Sequence, residues 1–275
     1  MRGDHEGAVR MFSEALETAR ANPEGDAWAE ARALTFVANT ISSREPLSIY
    51  RPMLEEALAL GRRINDPFSA AVAQQHYAGA LADGGDLDAA IANADAAVAA
   101  FRELGAQWET ASALGDAGET LRIAGRPRDA EARQREAVAI CRRLGDRQLI
   151  GWVGPELAMS LRAQGRMDEA HAVIDEVAAI VDLDKESAAL RARAHLAYDA
   201  GHVEAVRAAT DRLMALQDPV QRPNPYARFV WFKSRFLGQD AAGGEDAVRA
   251  ARDRLLQVGW RLWLEDPTLP ARPLG

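Results

Sequence analysis

The chain has 275 residues, 48% of them hydrophobic but only 6% aromatic, with a formal net charge of −8 and one cysteine. The acidic balance argues against a nucleic-acid footprint, and the lone Cys141 excludes an intramolecular disulfide and fits a reducing compartment. No apolar run nears the roughly 18 residues of a membrane span and no signal-peptide pattern is present, so no membrane contact and a cytoplasmic location are expected.

Residues 3–20 read as the second helix of a pair without its first: Gly3 is the turn residue, with Ala8 at +5 and Ala15 at +12. An unpaired helix leaves an apolar face bare. The expectation is therefore a fragment, a truncated product or a helix covered by a partner, and self-association through this half-repeat is one outcome. Asn22-Pro23-Glu24-Gly25 breaks the helix. Residues 26–43 form the next one, with Trp28, Leu34, Val37, Ala38 and Ile41 as its apolar stripe. SSREP (42–46) replaces the turn glycine, and Pro46 and Pro52 predict a broken start to the helix that runs on to Gly61.

Three regular units follow, with first helices near 67–83, 107–124 and 148–164 and second helices near 86–104, 127–144 and 167–181. Gly85, Gly125 and Gly165 lie 40 residues apart, and each is followed at +5 by Ala90, Ala130 or Ala170 and at +12 by Ala97, Ala137 or Val177. A fixed period with small residues at fixed offsets marks a stacked helical array. Gly125 supplies a left-handed helix cap, Pro127 suits the first turn that follows, and Ala130 and Ala137 share one face. Cys141, although set beside Arg142 and Arg143, reads as a packing residue. Pro155 predicts a kink in the third first helix or its true start.

A shorter unit surrounds Gly201, and DPVQRPNP (218–225) reads as a loop. Residues 225–238 make the most aromatic helix, in which Phe229, Phe232 and Phe236 share a face; core and cap is one reading of it, a docking patch the other. A last helix covers 244–260 or a little more. Trp260 and Trp263 then precede three prolines that forbid helix, and this ending reads as a cap on the stack. The whole is one domain, 1–275: half-repeat 3–20, repeats at about 26–64, 67–104, 107–144, 148–181 and 184–217, a C-terminal cap at 225–264 and a tail at 265–275.

The turn glycine with small residues five and twelve positions later resembles the tetratricopeptide repeat family, over most of the chain. The 40-residue spacing departs from that family's usual unit of about 34. The run AVAICRRLGDRQ (137–148) is similar to longer units in the C-terminal halves of LuxR-type activators, antibiotic-pathway regulators and some multidomain adenylate cyclases of bacteria. The resemblance implies an all-α, right-handed superhelical solenoid of antiparallel helix pairs. It also implies a non-enzymatic module that binds a protein or peptide, as the sensor or scaffold part of a bacterial signalling or transcriptional regulator. A small-molecule sensor or an enzyme with its pocket in the superhelix groove is the alternative.

No phosphate loop, HExxH, GxSxG or CxxC motif is present, so neither a metal nor another cofactor is expected and no catalytic residue is assigned. Function in such an array falls on the concave face, lined by first helices. With the turn glycine as phase marker, the inward positions about three, six and ten residues earlier give Glu119 and Arg122, then Met159 and Arg162, then Arg191, His195 and Tyr198, with Trp152 nearby. Arg122 and Arg162 share one slot of adjacent repeats, which places them roughly 8–10 Å apart. Forks so placed suit the carboxylates of an acidic peptide, unless the arginines of an Arg-rich chain align there by chance.

Overall fold

The computed structural model describes residues 5–22, 25–183 and 186–274; Gly3 and the Pro23-Glu24 break lie outside them. Among these residues the chain is a succession of helices: α1 (His5–Ala21), α2 (Ala27–Ile41), α3 (Leu47–Arg63), α4 (Pro67–Asp83), α5 (Leu87–Glu103), α6 (Gln107–Ile123), α7 (Pro127–Leu144), α8 (Arg147–Arg162), α9 (Met167–Ala178), α10 (Ser187–Asp199), α11 (Val203–Ala215), α12 (Pro223–Leu237), α13 (Glu245–Val258) and the short α14 (Leu262–Glu265). None is long and apolar enough to cross a membrane.

Local chemistry sets the helix ends. Asp26, Asp66, Asp86 and Asp146 each accept a hydrogen bond from the backbone N–H three residues on, capping α2, α4, α5 and α8. Such a cap satisfies one of the orphan donors of the first turn. The turn after α6 needs a left-handed residue, which Gly125 supplies at φ 75°; after α3 the same job falls to Asn65 at φ 54°. Asparagine tolerates that region better than most side chains.

Packing follows the small residues. Ala97, Ala130, Ala137 and Ala170 are fully buried. A Cβ added to Gly118 on α6 would lie 2.6 Å from the Gln134 side chain on α7, and one on Gly154 of α8 would lie 2.4 Å from Val177 on α9. Backbones approach this closely only where side chains are missing. The core is accordingly a continuous seam between neighbouring helices, drawn from α4 to α10, with satellites at both ends.

Pro52 does not break the start of α3 and Pro155 does not mark the start of α8; both helices run through their prolines. Each ring removes one ladder bond, but nearly every residue from Leu149 to Leu161 is buried, and packing holds the helix where its own hydrogen bonds do not. The aromatic residues Phe229, Phe232 and Phe236 are buried against α10 and α11.

The superhelix comes round until its later helices meet an earlier turn. Asn224, fully buried at the start of α12, donates from its backbone to the carbonyl of Ser43 at 3.0 Å and from its side chain to those of Ser42 and Glu45 at 3.0 and 3.3 Å. Arg254 on α13 donates to the Asn224 side-chain oxygen at 2.8 Å and to the carbonyl of Arg44. Gly259, at φ 80°, then turns the chain inward. Residues 260–274 are thereby laid along the inner face rather than stacked as a cap on the end of the array.

Candidate functional site in the inner channel

The first helices of the pairs, α4, α6, α8 and α10, together with α12, wall a channel into which Trp263 projects. Its indole N–H donates to Asp83 at 3.1 Å, and the guanidinium of Arg228 lies 3.1 Å above its ring. Trp260 donates to the hydroxyl of buried Tyr50 at 2.9 Å. Trp263 separates two chambers of opposite character.

On one side is a cavity of about 240 Å³ lined by Gln75, His76, Asp83, Asp116 and Glu119, among others. Burial raises the Asp116 carboxyl to about 7, opposed by a 2.7 Å hydrogen bond from Gln75 and reinforced by the charges of Glu119 and Glu156. Asp83 rises to about 6 for the same first reason, held back by the Trp263 N–H. Burial alone lowers His76 to about 4.

On the other side Arg122, Arg191 and Arg228 crowd together with Glu119 and Glu156. Arg122 donates to Glu156 at 3.3 Å; Arg191 donates to Glu119 at 2.9 Å and to the other oxygen of Glu156. Arg122 is only 4% exposed and Glu156 1%, so the pairing is internal. Burial pushes Glu119 up, but Arg191, Arg228 and Arg122 outweigh it and hold the group down at about 2. Glu156 moves the other way, because burial and the charge of Glu119 exceed the pull of Arg191 and Arg122. Arg228 falls to about 9 through burial and the repulsion of Arg191. Buried Nε and Nη1 of Arg122, Nδ1 of His195 and Nε1 of Trp231 find no hydrogen-bond acceptor or donor among the described residues. This chamber is almost filled: Trp263, Asp266, Thr268 and Leu269 close it from the tail side.

The structure thus brings Glu119, Arg122, Met159, Arg191 and His195 into one place. Arg162 sits in the same register as Arg122 but in different surroundings, donating to both oxygens of Asp199 at 2.6 and 2.8 Å. Tyr198 faces the tail and donates to the carbonyl of Arg272 at 2.7 Å. Trp152 packs its ring over Gly115, where an added Cβ would lie 2.7 Å away, and belongs to the core seam. Glu156 lies three residues before Met159, one turn from the inward positions that the turn glycine marks on α8, and so escapes the periodic pattern. Arg228 and the tail were also missed; an Asp83–Trp263 or Arg228–Trp263 contact joins segments too distant for any periodicity to register.

Walls built from one helix of each antiparallel pair, with a chain segment along the inside, define a helical-repeat solenoid of the kind used as an interaction scaffold. Residues 69–143 match the sequence profile of the tetratricopeptide repeat family, and the fold of the chain is a helical-repeat solenoid of that type. Among curated proteins none matches the sequence. Among solved structures, the chain is similar to a Rap protein complexed with competence and sporulation factor, at 16% identity and a TM-score of 0.71, covering 95% of this chain and 72% of that one. It is also similar to aspartyl phosphate phosphatase F from Bacillus subtilis (13%, TM-score 0.59, covering 88% and 64%) and to the nearly identical TPR-like repeats of a putative kinesin light chain from Podospora anserina (17%, TM-score 0.51, covering 65% and 87%). At these identities the likeness concerns the fold.

Proposed function

We propose that the chain is a non-enzymatic module that holds an extended protein or peptide segment in its inner channel, as the sensor or scaffold part of a bacterial signalling or transcriptional regulator. The observation that carries this reading is residues 260–274 themselves. They lie in the channel in largely non-helical form, with Tyr198 and Arg235 donating to the carbonyls of Arg272 and Pro270 and Leu274 donating to that of Phe236. A surface that grips backbone carbonyls and a few side chains of its own chain has the chemistry to grip a peptide. The solved Rap protein bound to competence and sporulation factor supports the reading by its fold. The arginines of the wall favour a partner that carries carboxylates, with Arg122, Arg191, Glu119, Met159, His195 and Tyr198 lining its place, Arg162 at the margin and Trp152 behind the wall.

A displayed library of random peptides, selected on the full chain, tests this. Binders should protect amide hydrogens of α6, α8 and α10, and their affinity should fall as salt rises. Binders that protect only the outer helices α5, α7 and α9, or none above background, would overturn it.

A further inference from the structure

Residues 263–274 are held in the channel by contacts of unequal weight. Trp263 is fixed by Asp83 and Arg228. Beyond it the segment depends on three backbone hydrogen bonds, to Arg235, Tyr198 and Phe236, and on Leu269 and Leu274, which rest partly covered on the aromatic face of α12. Pro267, Ala271, Arg272 and Pro273 are exposed. Its three prolines exclude helix and remove three backbone donors, so it presents carbonyls to the wall as a bound extended peptide does.

Charge singles out one residue. Arg122, Arg191 and Arg228 face Glu119 and Glu156 of the wall, and Arg228 also feels Asp83. A further negative charge comes from the tail: Asp266 lines the same chamber and acts on Arg191. With the segment withdrawn, the chamber loses that charge beside the unpartnered donors of Arg122 and Trp231. A site left in that condition selects an anion, and a desolvated charge without a counter-ion is costly.

We propose that residues 263–274 occupy the place of the partner, and that the partner is an extended acidic peptide which displaces them and sets a carboxylate where Asp266 stands. This rests on the reading of the channel as a peptide site and adds that the site is filled by the chain's own segment until a competitor arrives. Hydrophobic residues two to four positions from the carboxylate of that competitor would take over the contacts of Leu269 on Phe232 and its neighbours.

The experiment uses the full chain and a fluorescein-labelled synthetic peptide of residues 260–274 as probe, read by anisotropy. Asp266→Lys places a like charge against Arg191 and should free the segment, seen as faster amide exchange at Leu274, whose N–H donates to the carbonyl of Phe236 on α12. The freed chain should bind the probe at least about tenfold more tightly than the wild type, whose site is open only in the fraction of molecules with the segment detached. A probe carrying the same Asp266→Lys change should not bind. Leu269→Ala with Leu274→Ala, which loosens the apolar anchors and leaves the charges of the chamber unchanged, replaces the first variant if that one fails to fold. Equal affinity of wild type and freed chain, or a segment that remains protected in both variants, overturns the proposal. Library peptides that enter the wild-type channel while residues 266–274 stay protected also overturn it but leave the peptide-binding reading standing. A freed channel that takes no peptide at all removes the reading itself.

Discussion

Gly61 and Gly79 offer a test of the packing argument, because the same substitution should have opposite signs at the two. Both lie inside helices with ordinary helical backbone, so replacing either by alanine gains about 1 kcal/mol from lower backbone entropy in the unfolded chain. At Gly79 nothing lies within 4 Å of the new methyl group, and the gain should be realised almost in full. At Gly61 the new Cβ would meet Ala70 at 2.8 Å from its backbone nitrogen, 3.0 Å from Cα and 3.1 Å from Cβ. A backbone neighbour cannot rotate aside, so α3 and α4 must separate, and overpacking of this kind costs about 1–3 kcal/mol. The upper part of that range applies where the obstacle is main chain. Gly79→Ala should therefore be about 1 kcal/mol more stable than wild type and Gly61→Ala about 1–2 kcal/mol less, measured by urea unfolding with the slope unchanged. A Gly61→Ala protein as stable as Gly79→Ala would refute the claim that a missing side chain sets the α3–α4 distance.

Three further outcomes follow from the same structure. Ala130→Leu or Ala137→Leu, each at a fully buried seam position, should destabilise by about 1–3 kcal/mol in the same assay. Folded Asp116 keeps its proton up to about pH 7, whereas the unfolded chain releases it at about 3.9; between these values the native state binds more protons, so stability should fall as pH rises through that window. Asp116→Asn should flatten that part of the profile and exceed wild-type stability at pH 8; an unaltered profile would show that Asp116 is ionised throughout. Asn224→Ala removes the side-chain bonds to Ser42, Glu45 and Arg254 and should cost about 2–4 kcal/mol for the buried groups left unpaired, with a larger radius of gyration in solution scattering if the two ends part.

Repetition is what a sequence displays best. The 40-residue spacing of Gly85, Gly125 and Gly165 announces the helix pairs, since each turn needs the same left-handed residue and each seam the same small side chains. The inward phase of α6, α8 and α10 follows from the same marker and leads to Arg122, Met159, Arg191 and His195. What periodicity does not hold is the answer to who neutralises whom. Glu156 meets Arg122 and Arg191 from an adjacent turn of helix, and Arg162 turns instead to Asp199; these choices depend on side-chain reach across an interface. The tail defeats sequence reading for a different reason. Prolines and tryptophans after the last helix describe a segment that cannot be helical and wants burial, but the channel that receives Trp263 is made by helices up to 180 residues away in the chain.

The hydrogen bonds of Asn224 and Arg254 to residues 42–45 change what sort of polymer this is. An open stack of repeats folds as a line of neighbours, each helped only by the next, so it can fray from either end. Here contacts join residues 182 and 210 positions apart. Closing a loop of that length costs about 1.4 kcal/mol more chain entropy than closing one 40-residue unit, and it can form only after the intervening helices are in place. The last contacts to form then hold both ends of the line at once, so loosening at α2–α3 is felt at α12–α13. The protein should fold more slowly than an open array of the same helices and melt as one unit rather than repeat by repeat.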